Sequence, residues 1–66
     1  MEIEITLSKG FRSLAPRLQL SILEEAFEYL RKNAGSNGYT VIDINGIKAI
    51  FSVNGSSAHL RLVSEN

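Results

Sequence analysis

Two Asn-Gly pairs, Asn45-Gly46 and Asn54-Gly55, stand close together in the last third of the chain. Each is a strong signal for a two-residue β-hairpin. A type I′ turn needs φ > 0 at both central positions, which Gly and Asn accept at low cost. Taken together, the pairs divide the C-terminal half into antiparallel strands at about 39–44, 47–53 and 57–63. Two-residue turns also fix register. The first places Ile44 opposite Ile47, Asp43 opposite Lys48 and Ile42 opposite Ala49. The second places Phe51 opposite Ala58, Ile50 opposite His59, Ala49 opposite Leu60 and Lys48 opposite Arg61.

Opposed residues share a face of the sheet, so this register sorts the side chains. One face carries Ile42, Ile44, Ile47, Ala49, Phe51, Val53, Ala58, Leu60 and Leu62. It is almost wholly apolar and needs a cover. The other carries Tyr39, Val41, Asp43, Lys48, Ile50, Ser52, Ser57, His59, Arg61 and Val63. That face is mixed, and Val41, Ile50 and Val63 make it more apolar than a freely solvated surface requires.

The cover is expected from the first half of the chain. Ile3, Ile5 and Leu7 alternate with Glu2, Glu4 and Thr6, which predicts a half-buried strand at about 2–7. Ser8-Lys9-Gly10 ends it. A helix is then predicted over about 14–34. Ser13 is placed to cap a first turn containing Pro16, and Ser21-Ile22-Leu23-Glu24 is a second start signal. Either one helix runs through Ser21 or it breaks there. Arg31 and Lys32 suit the C-terminal end, and Gly35 is a natural stop. At about 100° per residue, Leu20, Leu23, Phe27, Leu30 and Ala34 share a face, with Glu24, Glu25, Glu28, Arg31 and Lys32 opposite. Leu18, Ile22, Ala26 and Tyr29 widen the apolar arc beyond one sheet contact, which marks them as candidates for self-association. The expected fold is α+β, in the order β-α-β-β-β, with the helix on one face of a mainly antiparallel sheet. How strand one joins that sheet is left open; beside the last strand, Glu2 and Glu4 would lie near His59 and Arg61.

At 66 residues the chain is one domain (1–66) with a core near the lower limit of size. It has no cysteine and one histidine, so neither a disulfide nor a recognisable metal-ligand spacing is available. Seven basic and seven acidic residues cancel, which disfavours nucleic acid as a partner. The acidic, alternating start, Met1-Glu2-Ile3-Glu4, is unlike a secretion signal, and no apolar run reaches bilayer length. A cytoplasmic setting is expected, with no membrane partner.

Little in the chain reads as catalysis. His59, Ser52, Ser57 and Asp43 offer the residue types of a hydrolase, but an open sheet face supplies no cleft or oxyanion hole. Phosphate-loop and dinucleotide patterns are absent. No catalytic set, metal or cofactor is assigned. The mixed face is the candidate partner-contact surface: Tyr39, Val41, Asp43, Lys48, Ile50, His59 and Arg61. A cross-strand Asp43–Lys48 ion pair is its bland reading.

The stretch Phe11–Asn33 (FRSLAPRLQLSILEEAFEYLRKN), with Ile47–Val53 (IKAIFSV), resembles the RelE/ParE-type toxins of bacterial toxin–antitoxin systems. The similarity is one of element order and hydrophobic pattern over most of the chain. It implies a strand, a helical hairpin and a three-stranded meander, with functional basic residues at Lys48 and Arg61. Where ribonuclease members tend to carry aromatic or imidazole groups, this chain reads Ser64-Glu65-Asn66. The resemblance therefore implies a trimmed member lacking that chemistry. Two readings are carried forward. One is a non-enzymatic protein-binding module (inhibitor, adaptor or accessory protein), with a homodimer among the expectations. The other is a toxin of this type acting on RNA or topoisomerase.

Overall fold

In the computed structural model, which describes residues 2–33 and 36–65, the elements are β1 (Glu4–Leu7), α1 (Lys9–Arg12), α2 (Pro16–Lys32), β2 (Gly38–Ile44), β3 (Ile47–Asn54) and β4 (Ser57–Leu62). The four strands form one sheet in the order β1-β4-β3-β2. Helical residues pack on one face only, as the α+β expectation requires. The order β-α-β-β-β holds, with a short helix added before the long one.

Helix α2 is continuous through Ser21, so the capping box there opens no new helix. Pro16 occupies its first turn after Ala15, whose side chain offers no cap. Ser13 does not cap it either; its hydroxyl donates to the Lys9 carbonyl at 2.9 Å. The junction is closed from inside the helix, where the Gln19 amide donates to the carbonyls of Arg12 (3.0 Å) and Leu14 (2.8 Å). Arg31 and Lys32 lie in the last turn and pair with Glu28. Ala34 and Gly35, with the expected stop, lie outside the described residues.

The first hairpin forms as its sequence requires, with φ 54° at Asn45 and 82° at Gly46. It pairs Ile44 with Ile47, Asp43 with Lys48 and Ile42 with Ala49. The second differs from expectation. Asn54 remains in β3 and pairs with Ser57, so Gly55-Ser56 makes the turn. Gly55 has φ 64° and Ser56 a negative φ, the signature of a type II′ turn with Gly first. Moving the turn by one residue moves β4's register by two. Phe51 faces Leu60, Ile50 faces Arg61 and Ser52 faces His59, in place of Ala58, His59 and the pairing of Lys48 with Arg61. A shift of two preserves parity, so no side chain changes face.

β1 lies beside β4 and runs parallel to it, pairing Ile5 with Ala58 and Leu7 with Leu60. Its partners on the outer face are Glu4 with Ser57 and Thr6 with His59. The first strand thus joins the last, which makes the sheet mixed.

The core comprises Phe11, Ile22, Ala26, Ile42, Ala49, Phe51, Val53, Ala58 and Leu60. Ile44, Ile47 and Leu62 pack against it half-buried, so all nine residues of the predicted apolar face point inward. Phe11 from α1 fills the space over β4, and α2 lies over β2. Tyr29 meets Phe51 edge-to-face with ring centroids 6.1 Å apart, an arrangement worth about 0.5–1.5 kcal/mol beyond its buried area.

The phase of α2 is the main correction. Ile22 and Ala26, expected on a free flank, are completely buried, whereas Leu20 and Phe27, expected at the centre of the buried stripe, are 64% and 49% exposed. By helical rotation Ala26 is about 40° from Ile22, while Phe27 and Leu20 are about 140° and 160° away. Phe11 and Phe51 already occupy much of the core's volume. What remains beneath α2 accommodates the Ile22–Ala26 ridge, with Tyr29 at its edge.

Candidate functional site

Both helices lie on the inner face, so among the described residues nothing covers the outer face of the sheet. Three of its cross-strand rows carry the predicted contact residues. The first is Tyr39–Ser52–His59–Thr6, the second Val41–Ile50–Arg61, and the third Asp43–Lys48. Val63 continues the third row, its N–H donating to the Lys48 carbonyl at 2.9 Å. All seven predicted contact residues stand on this face. Tyr39 (68%), Val41 (51%) and Val63 (44%) are its most exposed large apolar side chains. Asp43, Lys48, His59 and Arg61 are exposed, and Ile50 is half-buried.

The two-residue register shift changes the neighbours. Arg61 stands beside Ile50 instead of Lys48, and His59 beside Ser52 instead of Ile50. Cations and apolar groups are therefore interleaved across the face instead of lying in separate rows. Asp43 and Lys48 are opposed, but among the described residues the ion pairs are those of Glu28 with Arg31 and Lys32. Ser52 and His59 are direct cross-strand partners, yet no hydrogen bond joins them among the described residues, and Asp43 stands two rows away. Nucleophilic catalysis requires that bond and an orienting acid. Among the described residues no group of three or more His, Asp or Glu side chains gathers as metal ligands would. No helix there is long and apolar enough to cross a membrane.

Of the candidates for self-association, Ile22 and Ala26 are unavailable, being wholly enclosed. Leu18 and Tyr29 are half-buried, and Tyr29 is committed to Phe51. The flank of α2 nearest β2 is charged instead. Ser21, Glu24, Glu25, Glu28 and Arg31 line an open groove of about 730 Å³ with Asp43 and Ile44 of β2.

Glu65 had no role in the sequence reading and has a large one in the structure. Its Oε1 accepts from the Ser8 hydroxyl (2.6 Å) and the Leu62 N–H (2.7 Å), and its Oε2 from the Gly10 N–H (2.9 Å). Ser8 in turn caps α1, its Oγ accepting from the Phe11 N–H at 3.1 Å. The Ser8 hydroxyl, then the backbone donors and the nearby Arg61 charge, hold the Glu65 carboxyl below the usual carboxylate range. One carboxylate thus ties the β1–α1 junction to the end of β4. These contacts span more than fifty residues of sequence, so no local pattern announces them.

Comparison with protein-family models, curated proteins and solved structures finds no match to this chain.

Proposed function

We propose that this chain is a small protein-binding module that performs no chemistry of its own and meets another protein with the outer face of its sheet. The observation that carries the reading is the exposure of Tyr39, Val41 and Val63 on a face that no described element covers. Lys48, His59 and Arg61 stand among them. Apolar and aromatic groups interleaved with charge are the make-up of a contact surface. Burying side chains of this size contributes on the order of 1.5–3 kcal/mol each, enough for a handful to anchor a partner.

The test is affinity capture from lysate with the full chain immobilised, compared with Ile50→Glu and Val63→Glu. Both variants are expected to keep the wild-type unfolding midpoint nearly unchanged and to lose the captured protein. Sizing of the purified chain shows whether that protein is a second copy. A chain that stays monomeric at high concentration and captures nothing overturns the reading. Growth arrest on expression, abolished by Lys48→Ala or Arg61→Ala, also overturns it, in favour of a RelE/ParE-like toxin.

A further inference from the structure

We infer that the free edge of β2 accepts an extended, basic segment of a partner protein as a fifth strand. The inference rests on the protein-binding reading but uses a different surface from the outer face.

The hydrogen-bonding phase of β2 follows from its turn. A two-residue turn closed by Ile44 and Ile47 makes them a hydrogen-bonded pair, and alternation extends this to Ile42–Ala49, Thr40–Phe51 and Gly38–Val53. Tyr39, Val41 and Asp43 therefore direct their N–H and C=O groups away from β3. Among the described residues, no loop, cap or side-chain hydrogen bond takes up these groups. Such an edge is a template for strand addition unless it is guarded. The opposite edge is guarded: β1 has only four residues, with Glu4 among them. β2 has seven, pairs with β3 without a bulge, contains neither proline nor lysine, and carries one charge, Asp43, whose sign suits a basic strand.

Charge selects the occupant. On the α2 side of this edge, Arg31 and Lys32 both pair with Glu28, and among the described residues no ion pair holds Glu24 or Glu25. A second copy fits poorly. α2 runs antiparallel to β2, with the Tyr29 hydroxyl over Gly38 at one end and its earlier turns toward Ile44 at the other. A two-fold axis through Val41 would bring two α2–β2 grooves side by side, each with Glu24, Glu25 and Glu28 against Arg31 alone in its helical wall. An incoming strand with Lys or Arg toward α2 and β-branched or aromatic residues toward Tyr39 and Val41 satisfies both sides.

The probe is an end-capped nine-residue peptide alternating Lys with Val, titrated into the isotopically labelled full chain, with a Glu-for-Lys peptide as control. The expected result is saturable shifts and slowed hydrogen exchange at the amides of Tyr39, Val41 and Asp43, with the Glu peptide about tenfold weaker at low salt. Val41→Pro removes an outward-facing donor and no β2–β3 bond, so it abolishes binding while the sheet persists. Glu24→Lys with Glu25→Lys reverses the preference between peptides, an independent reading should the proline variant unfold. Equal binding of the two peptides, shifts centred on Ile50, His59 and Arg61, or a free chain already dimeric with those amides protected would each overturn the inference. If Ile50→Glu and Val63→Glu still abolish capture while the double Lys variant does not, the edge fails and the outer-face reading stands.

Discussion

A single carboxylate decides more of this molecule's local order than its place near the end of the sequence implies. Glu65 receives two donors from the distant Ser8–Gly10 segment and one from nearby Leu62, and Gly10 is what lets it in. A Cβ at Gly10 would lie 2.4 Å from the Glu65 Cδ and 2.6 Å from its Oε2, far inside contact distance. Gly10→Ala is therefore expected to displace the carboxylate and to lower the urea midpoint as Glu65→Gln does. The two changes together should cost little more than either alone, because they remove one interaction. The pH dependence has a definite sign. The folded pKa of Glu65 is depressed relative to the unfolded chain, so its stabilisation is full above the unfolded pKa and disappears as pH falls through the folded one. The gap in midpoint between wild type and Glu65→Gln should be present at neutral pH and shrink at a pH below the usual carboxylate range. Denaturation curves at the two pH values measure it. None of this was legible beforehand, since Ser8, Gly10 and Glu65 are unremarkable residues until the fold brings them together.

At the scale of elements, the sequence was most legible where chemistry is local. Asn45-Gly46 specified its turn, and alternation identified both faces of the meander. The second turn was misplaced because Asn54-Gly55 and Gly55-Ser56 are overlapping hairpin signals that differ only in which residue needs positive φ. Gly55→Ala, forced to hold φ near 64°, is expected to cost about 1–2 kcal/mol. Asn54→Ala, within a strand, should stay within about 0.5 kcal/mol. Comparable losses from both would restore the Asn54-Gly55 turn. The phase of α2 was illegible for another reason. Hydrophobicity alone ranks Leu20 and Phe27 above Ala26, whereas packing against Phe11 and Phe51 selects by shape. Ile22→Ala is expected to cost about 2–5 kcal/mol, a large share of the roughly 3–10 kcal/mol available to a domain of this size. Leu20→Gln should cost less than about 0.5 kcal/mol. Thermal or chemical denaturation of the two variants separates the observed phase from the expected one.

For the molecule as a whole, the arrangement separates tasks by surface. The inner face is committed to the core, the outer face is open, and of the two sheet edges one is short and the other long, each with a single acidic residue. Sequence reasoning found the two faces because parity survives a register error of two. It left the edges unresolved because strand order depends on how the first strand returns to the last. That return has a kinetic consequence. Hairpins joined by two-residue turns form in about 1–10 μs, but Glu4 reaches Ser57 only by closing a loop of 53 residues, whose entropy must be overcome before any contact there rewards it. The β1–β4 seam should close after the rate-limiting barrier and open first. In a chevron analysis, Ile5→Ala is expected to steepen escape from the native state while leaving the refolding arm almost unmoved, whereas Phe51→Leu should slow refolding. A molecule built this way unzips from its parallel margin, leaving the three-stranded ribbon as the last structure to be lost.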